Sequence, residues 1–452
     1  MMMQIWNDPQ KRERLFLILY LLLFAIVAVS VAFVQPIDNT PPWFENPPDE
    51  HARFRIPLFI ARYGHLPVGT EPEMANLYGG LYAMRPSLGL YVMALLLRLL
   101  ISFGADGFAL VFAARLVNVT CGICMAYVVY RLSKLLFARE EIRLLFCCMV
   151  MYLPQHLFLH TYVNNESMNL LSVAMMLYAV TVLYREGFSA RICILLTAAW
   201  IMCILTNFNA YAFVLCTGIL FLARFIGGSA GERHFDTKRF LRFGLPVILA
   251  VLIGTGWWFV RMYLLWDGDI FGLRATEAFH ETVGVMQIGN DASTPGEALS
   301  LFLENNGPGI LARSFVALYG SMSLAAPEWY YICYGLFLLP GMLAGCAALV
   351  PGIRKADARQ RFFWLLIFAA CMITIVLWIR YVLYTDFQPQ ARYIMPMLIP
   401  LYVFMVRGWE YLAEKLRQRK ALCYLPQAAT AVAVLALLYY VYRVAFRYYL
   451  DF

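Results

Sequence analysis

The run LFLILYLLLFAIVAVSVAFV, Leu15–Val34, decides the fold class, because it is twenty residues long and carries no charge. A helix of about 20 apolar residues is long enough to cross the hydrocarbon core of a bilayer. The run is too long for the core of a signal peptide, and no convincing small-residue cleavage site precedes Gln35, so we interpret it as a retained signal anchor. Lys11, Arg12 and Arg14 precede it, which predicts a cytoplasmic N-terminus.

The composition of the whole chain agrees with this interpretation. Of the 452 residues, 62% are hydrophobic and 14% are charged, and the mean hydropathy is +0.66. A soluble domain has about 45–50% apolar and about 25% charged residues. The net charge of +8 comes from short loops and not from one basic face, so no nucleic-acid partner is expected. We predict an all-α polytopic membrane protein, since barrel strands would alternate in hydrophobicity over about ten residues.

Apolar runs recur along the chain and predict about eleven spans: 15–34, 108–133, 142–162, 168–185, 190–206, 208–226, 240–264, 328–350, 361–384, 391–411 and 422–446. The loops assigned to the cytoplasm carry clustered Lys and Arg, as the positive-inside rule requires. Arg85–Phe103 is also apolar, but a span there would place the basic group at 131–143 outside. We therefore expect Arg85–Phe103 to be an interfacial helix, and the C-terminus to lie outside.

Two predicted external segments are long, 35–107 and 265–327. The second contains the amphipathic stretch ILARSFVALYGSMS, Ile310–Ser323, which also has the pattern of an interfacial helix. Neither segment has the composition of a soluble domain, and the sequence shows no clear internal repeat. The chain is predicted to form a single transmembrane domain, 1–452.

The first external segment carries an unusual polar group directly after a span. In ENPPDEHARFRIPLFIARYGHLP, Glu45–Pro67, two prolines precede the adjacent acids Asp49 and Glu50, and His51 follows them. Further polar residues occur at predicted external span ends, namely Arg85, Asn164, Asn165, Glu166, Arg261, Gln390 and Arg392. A charge at the bilayer centre costs about 2.5–3.5 kcal/mol and less near an interface. These residues predict a polar, concave surface at the external face, although each could also be a solvated loop residue.

Six stretches, in chain order, resemble segments of the GT-C class of membrane glycosyltransferases. They are PPDEHARFRIPLFIARYGHLP (47–67), MRPSLGLYVMALLLRLL (84–100), ARLVNVTCGICMAYVVYRLSKLLF (114–137), YVNNESMN (162–169), GWWFVRMYLL (256–265) and QPQARYIMPMLIPLY (388–402). The first resembles the opening loop with its Asp-Glu pair and G-x-L-P, and the last resembles a Q-x-x-R-Y or Q-G-R-Y signature. The chain most resembles a bacterial GT-C-like family of unknown function, and more distantly lipid A aminoarabinose transferases and protein O-mannosyltransferases.

The resemblance implies a GT-C-like helical bundle and transfer of a sugar, with inversion, from a polyprenyl-phosphate carrier. The acceptor would be a glycan, a lipid or a protein at the outer face of the bacterial cytoplasmic membrane. Such a reaction needs a carboxylate to take the acceptor proton. It also needs cations beside the lipid phosphate, which guanidinium groups bind well.

The resemblance also implies roles for individual residues. Asp49 matches the catalytic aspartate and is our first choice for the general base, with Glu50 as the alternative; either acid could instead cap the following helix. Glu166 lies in the second acidic turn, where it could be catalytic or a charge at a helix N-terminus. Arg392 is the first choice for binding the donor phosphate, or else a snorkelling interfacial arginine.

The remaining candidates are assigned more general roles. Arg85 and Arg261 are further candidates for the donor phosphate. An orienting role, or contact with the sugar or acceptor, is expected of a second set of polar residues, His51, Asn164, Asn165, Gln390 and Tyr393.

A divalent metal is possible but not required by the sequence. His156 and His160 are four residues apart, on one face of a helix, and with Glu166 they could hold a metal ion. They could equally be hydrogen-bonded helix histidines, and Glu stands where the family often has Asp, which changes the ligand geometry. Cys121 and Cys124 form C-x-x-C inside a span, where we expect buried hydrophobic cysteines.

Three other functions remain open from the sequence. A transporter or flippase of lipid-linked glycans would place ionisable residues near mid-bilayer. A ligase or polymerase of polysaccharide would use external arginines without needing the Asp-Glu loop. A non-catalytic scaffold would need neither Asp49 nor Arg392.

Overall fold

The computed structural model describes residues 8–36, 47–74, 82–227, 234–275, 294–384, 387–416 and 424–450. The predicted external segments 35–107 and 265–327 are therefore covered only in part. The remaining parts, 37–46, 75–81 and 276–293, lie outside the described residues.

The described chain is mostly helical. In chain order the helices are α1 (Pro9–Val34), α2 (Glu50–Tyr63), α3 (Leu88–Ser102), α4 (Gly107–Leu136), α5 (Glu140–Met151), α6 (Pro154–Leu159), α7 (Glu166–Glu186), α8 (Ala190–Ile204), α9 (Tyr211–Ala223), α10 (Thr237–Leu265), α11 (Pro295–Glu304), α12 (Gly307–Val316), α13 (Glu328–Lys355), α14 (Ala358–Tyr384), α15 (Leu398–Lys415) and α16 (Leu425–Leu450). Two short antiparallel hairpins pair β1 (Ile226–Gly227) with β2 (His234–Phe235), and β3 (Leu318–Tyr319) with β4 (Leu324–Ala325).

Seven of the described helices are long and apolar enough to cross a membrane: α1, α4, α7, α10, α13, α14 and α16. They coincide with seven of the predicted spans, which confirms the all-α polytopic class. The other four predicted spans differ from simple long helices. α8 and α9 are apolar but shorter, 142–162 is divided between α5 and α6 before Pro154, and 391–411 begins with 3₁₀ turns that precede α15.

α7 forms the centre of the bundle. Of its most apolar window, 83% is buried inside the protein, compared with 17% for α13. α7 packs against α4 and α8, and α1 also packs against α4. α7 therefore needs no lipid contact along most of its length, and its first residue, Glu166, is held in a protein environment.

α13 and α15 pack closely against each other. A Cβ atom on Gly408 would overlap the Gly341 carbonyl oxygen, so only glycine fits there. Small residues let helix backbones approach closely, and this is a major source of helix association in membranes. The contact fixes α15 and the turn before it, which carries Arg392.

α2 and α3 lie side by side over α4. Their common apolar core contains Ile56 and Phe59 of α2, Leu90 and Leu97 of α3, and Ala114 of α4. α3 confirms a helix in the segment predicted to be interfacial, and at 15 residues it is shorter than a span. Its position in the membrane interface stays a prediction.

The predicted helix Ile310–Ser323 is only partly helical. α12 ends at Val316, and the chain then forms the hairpin of β3 and β4. Met322 adopts a positive φ of 67° inside this hairpin, a conformation that a helix cannot include. The helix predicted for the whole stretch is therefore wrong beyond Val316.

Candidate active site

The site begins at the junction between the first external segment and α2. Asp49 has a left-handed backbone conformation, φ 61° and ψ 7°, directly before the first residue of α2. Its Oδ2 atom lies 3.3 Å from Arg392 Nη2 and 3.5 Å from Arg53 Nη2. Left-handed backbone at a non-glycine residue is uncommon and concentrates at functional sites. Asp49 is therefore held between two guanidinium groups that come from distant parts of the chain.

Arg53 connects Asp49 to the second acid. Its Nη1 atom donates a hydrogen bond of 2.6 Å to Glu166 Oε2, and its guanidinium lies 4.9 Å from the centre of the Tyr82 ring. Arg53 is four residues after Asp49, so both side chains occupy one face of α2. Arg53 and Glu166 are both buried, with side-chain exposures of 7% and 5%. The four charged groups Asp49, Arg53, Glu166 and Arg392 form one cluster.

Arg392 enters this cluster from the turn before α15. Its Nη2 atom lies near three acceptors: Asp49 Oδ2, the Tyr393 hydroxyl oxygen at 3.1 Å and Gln388 Oε1 at 3.4 Å. The Tyr393 hydroxyl in turn donates to Gln388 Oε1 at 2.6 Å. Arg392 is only 7% exposed. The predicted pair of Asp49 and Arg392 is thus brought into direct contact across 343 residues of sequence.

Several hydrogen-bond donors in the cluster have no acceptor among the described residues. They are Arg392 Nε and Nη1, Arg53 Nε and the Tyr162 hydroxyl. Tyr162 is fully buried and lies within electrostatic range of all four charged groups. Buried polar groups are normally hydrogen-bonded. Unsatisfied donors beside two buried guanidinium groups are suited to binding an anion.

The surroundings of Asp49 favour its ionised form. Burial by itself would raise the pKa of the Asp49 carboxyl, but the charges of Arg392 and Arg53 and a hydrogen bond from Tyr82 outweigh burial and hold that pKa below its ordinary value. Asp49 is consequently a carboxylate at neutral pH. Its side chain is 21% exposed, so a solute can reach it.

Glu50, the alternative base, has a different environment. Its carboxylate accepts hydrogen bonds from Arg115 Nε at 2.9 Å and Nη2 at 2.5 Å, and from the Val163 backbone N–H at 2.7 Å. Arg115 is fully buried and also donates to the carbonyl oxygens of Ala32 and Gln35. Glu50 therefore ties α2 to the end of α1 and to the turn before α7, and its oxygens are occupied by these bonds.

The other predicted phosphate ligands make no described contact with Arg392. Arg85 is exposed and forms no ion pair among the described residues. Arg261, on α10, donates from Nη2 to the Pro67 carbonyl oxygen at 2.8 Å and lies over the Trp258 ring. Arg261 thus contacts the first external segment at Pro67 and has no described contact with the four charged groups.

His51 is exposed at the start of α2, away from the cluster's buried side. Its Nε2 atom lies 3.0 Å from Arg55 Nη2. Partial burial, followed by the charge of Arg55, lowers the pKa of His51 below its ordinary value, so the imidazole is neutral at neutral pH.

The two predicted asparagines have mainly structural contacts. Asn164 is fully buried, donates to the carbonyl oxygens of Leu159 and Tyr162, and accepts from the Ser167 backbone N–H. Asn165 donates from Nδ2 to Ser87 Oγ at 3.0 Å, and so links the start of α7 to the start of α3. Neither side chain has a described hydrogen bond to Glu166. Both residues shape the turn that places Glu166.

Two glutamines precede Arg392, and the described contacts are made by the one that was not predicted. Gln388, two residues before the predicted Gln390, is the glutamine that contacts Arg392 and Tyr393. The Gln390 side chain makes no described hydrogen bond. The backbone N–H of Gln390 donates to the Gln388 carbonyl oxygen at 2.7 Å. The intervening Pro389 sets this turn, since proline fixes φ.

The predicted metal ligands do not come together. Among the described residues, no group of three or more His, Cys, Asp or Glu side chains is placed to hold a metal ion. His156 and His160 are fully buried with their rings 4.9 Å apart, and His160 Nδ1 lies 2.5 Å from Ser167 Oγ. Glu166 is paired with Arg53 instead. These residues do not fit a divalent metal at Glu166.

The sequence reasoning missed Arg53, Arg115 and Gln388. Arg53 carried a usable signal, because it lies one helical turn after Asp49 in a segment already expected to be helical. Arg115 also carried one, as a lone charge inside a predicted span, where an ionisable residue usually has a partner. Gln388 could not be told from Gln390 by pattern alone.

Comparison with known proteins agrees with this architecture. Residues 87–401 match the model of a family described as predicted membrane protein (DUF2142), which is more than half of the chain. The chain belongs to the DUF2142 family. The matched range begins at Ser87 and includes Arg115, Glu166 and Arg392, whereas Asp49 and Arg53 precede it. No curated protein matched this DUF2142 chain.

Solved structures show the fold of the DUF2142 chain. It is similar to the archaeal oligosaccharyltransferase AglB from Archaeoglobus fulgidus in complex with an inhibitory peptide and a dolichol-phosphate, with 13% identity over 96% of this chain and 56% of that chain and a TM-score of 0.51. The Archaeoglobus fulgidus oligosaccharyltransferase in complex with Zn and sulfate gives 14% identity, 94% and 52% coverage and a TM-score of 0.51.

These likenesses establish a GT-C-like oligosaccharyltransferase fold for the DUF2142 chain. The apo form of the Archaeoglobus fulgidus enzyme gives the same TM-score of 0.51, at 12% identity, with 95% of this chain and 55% of that chain covered. The chain therefore spans about half the length of the solved structures it matches.

Proposed function

We propose that this protein is a membrane glycosyltransferase that moves a sugar, with inversion, from a polyprenyl-phosphate carrier to an acceptor at the outer face of the cytoplasmic membrane. The observation that carries the proposal is the contact between Asp49 Oδ2 and Arg392 Nη2 at 3.3 Å. This contact places a carboxylate suited to proton removal beside a guanidinium suited to phosphate.

Arg392 is the proposed ligand of the carrier phosphate. Two of its nitrogens, Nε and Nη1, are buried without an acceptor among the described residues, and Arg53 Nε and the Tyr162 hydroxyl are in the same situation. A phosphate can accept from several such donors at once. Binding of the carrier would thus give acceptors to donors that have none among the described residues, which is a favourable change in a buried environment.

Asp49 is the proposed general base. Its lowered pKa keeps it ionised, and its partial exposure leaves it open to an acceptor hydroxyl. As the acceptor oxygen bonds to the anomeric carbon, its proton passes to the Asp49 carboxylate and the bond between that carbon and the phosphate oxygen breaks. The electron pair remains on the phosphate, whose growing charge Arg392 stabilises. A positioned base of this kind contributes about 10²–10⁴-fold to a rate.

The other functions left open by the sequence receive less support. A transporter is expected to place its ionisable residues at the repeat interface near the bilayer midplane. Here Asp49 and Arg53 belong to the start of α2, Glu166 is the first residue of α7, and Arg392 precedes α15. The charges therefore gather at helix ends, which favours a site near the lipid headgroups.

The test is mass spectrometry of surface glycans from cells that lack the gene and carry a replacement copy. The wild-type copy should restore a glycan that Asp49→Asn does not restore. Asp106→Asn is the matched control, because Asp106 is an exposed acid before α4 with no part in the cluster. Restoration of the glycan by Asp49→Asn at equal protein level would disprove the proposed role.

A further inference from the structure

Arg53 has a position that the proposed reaction does not explain. Asp49 precedes α2 and Glu166 begins α7, and 113 residues of sequence separate Arg53 from Glu166. Two neighbouring carboxylates repel each other, and burial strengthens that repulsion. One guanidinium, with Nη1 at 2.6 Å from Glu166 and Nη2 at 3.5 Å from Asp49, prevents the repulsion by bridging the two acids.

We propose that Arg53 takes the structural place of a divalent cation in this site, so that the wild-type protein has no divalent-cation site between Asp49 and Glu166. The inference concerns the same site as the proposed function and rests on its geometry alone. Arg53 is a positioning residue: it holds the proposed base and the second acid at a fixed separation, as a bridging metal ion would.

The net charge of the cluster supports the proposal that Arg53 stands in the place of a divalent cation. Asp49 and Glu166 contribute two negative charges, and Arg53 and Arg392 contribute two positive charges. The cluster is therefore neutral, and a divalent ion would add two uncompensated charges to a buried site, which is strongly unfavourable. On this charge balance, a divalent ion can bind in the cluster only when a guanidinium is removed.

The geometry is specific for arginine. The planar guanidinium presents donors in a fork that can serve two acceptors, whereas a lysine ammonium is a single point charge. The Tyr82 ring, 4.9 Å from the guanidinium, adds a cation–π contact on one face. The adjacent apolar core, which contains Ile56 and Phe59, fixes the helix that carries Arg53.

The test is Mn²⁺ binding to the full chain in detergent or nanodiscs, measured by the loss of free Mn²⁺ signal in electron paramagnetic resonance. Wild-type protein should bind no Mn²⁺ at this site. Arg53→Ala should bind one Mn²⁺ per chain, and the ion should raise its unfolding temperature. Adding Glu166→Gln to Arg53→Ala should remove both effects.

Arg392→Ala is the matched control, because it removes one positive charge from the cluster but leaves Arg53 between the acids. We expect Arg53→Ala to bind Mn²⁺ about ten times more tightly than Arg392→Ala, the lower end of the effect that neighbouring groups have on metal sites. An equal gain in Mn²⁺ affinity in both variants would mean that the net charge of the cluster alone controls Mn²⁺ binding. That result would overturn the proposal.

Wild-type protein gives an independent result if Arg53→Ala does not fold. Stoichiometric Mn²⁺ binding by wild type that is lost in Asp49→Asn or Glu166→Gln would overturn the inference, and its absence would support it. Because the readout is cation binding, the result is separate from sugar transfer. A chain that transfers sugar only with a metal ion bound at this site would refute the inference and leave the proposed function intact.

Discussion

Two adjacent acids, Asp49 and Glu50, should respond in opposite ways to loss of charge. Asp49→Asn should abolish sugar transfer in a folded protein. Glu50→Gln should instead reduce the amount and stability of folded protein. Each substitution replaces a carboxylate with an amide, and the two positions are adjacent. The comparison therefore separates a catalytic role from a structural one.

The loss of stability expected for Glu50→Gln follows from the hydrogen-bond partners of Glu50. Glu50 receives two hydrogen bonds from Arg115, at 2.9 and 2.5 Å, and one from the Val163 N–H. A glutamine leaves the fully buried Arg115 guanidinium without a countercharge. Removing one partner of a buried ion pair destabilises a protein by about 3–5 kcal/mol. Arg115 also donates to carbonyl oxygens at the end of α1, so the loss should loosen the first external segment.

The loss of stability expected for Asp49→Asn is smaller, because Asp49 makes weaker structural contacts. Its contacts with Arg392 and Arg53 are longer, at 3.3 and 3.5 Å, and Arg53 keeps its bond to Glu166 when Asp49 is neutral. Asparagine tolerates a left-handed backbone as well as aspartate does, so the φ of 61° at this position is retained. The transfer rate, however, should fall by about 10²–10⁴-fold with the loss of the base.

The assay is a pair of measurements on each purified variant: thermal unfolding in detergent, and transfer activity per folded molecule. Asp49→Asn should unfold close to wild type and be inactive, and Glu50→Gln should unfold at a lower temperature and retain part of the activity in its folded fraction, because Glu50 supports the backbone at Asp49 without being the base. The reasoning would be refuted if Glu50→Gln were stable but inactive while Asp49→Asn transferred sugar normally.

Three further predictions concern the same cluster. Tyr162→Phe should raise the KM for the lipid-phosphate donor, because the site loses an unpaired buried hydroxyl donor; a donor titration measures this, and an unchanged KM would remove Tyr162 from the site. Transfer should persist as pH falls to about 5 and decline only below the ordinary Asp pKa of about 3.9, because the Asp49 pKa is lowered. In Arg392→Ala the positive charge that lowers the Asp49 pKa is lost while burial remains, so the acid limb of the residual activity should move to higher pH. A pH–rate profile with an unchanged acid limb would contradict this.

The membrane class and most spans could be predicted from the sequence because hydrophobic run length is a direct physical requirement of the bilayer. α1, α4 and α7 end within a few residues of the predicted positions. The predicted spans 142–162 and 391–411 do not form single long helices, because turns interrupt or precede their helices. Pro154 divides one predicted span into α5 and α6, and a hydropathy pattern does not show that break.

The meeting of Asp49 with Arg392 was predicted only through a family resemblance. Composition and periodicity place both residues near a span end, but they cannot say which span ends are neighbours. That information comes from helix packing, such as the contact of Gly408 with Gly341 that fixes α15. Arg53 was overlooked because a basic residue in an amphipathic segment is usually solvated, whereas here it is buried.

The contacts of the two adjacent acids explain how Asp49, the proposed base, is held in one position. Glu50 is the first residue of α2, and its bonds to Arg115 and Val163 anchor that residue to two other elements. Asp49 lies immediately before the anchor and has little freedom of its own, because its left-handed φ is set between the anchored Glu50 and the preceding prolines. A catalytic group on a loop needs such support from neighbouring residues. The two acids therefore differ in their contacts: buried Glu50 fixes the backbone, and partly exposed Asp49 remains accessible for the proposed role as base.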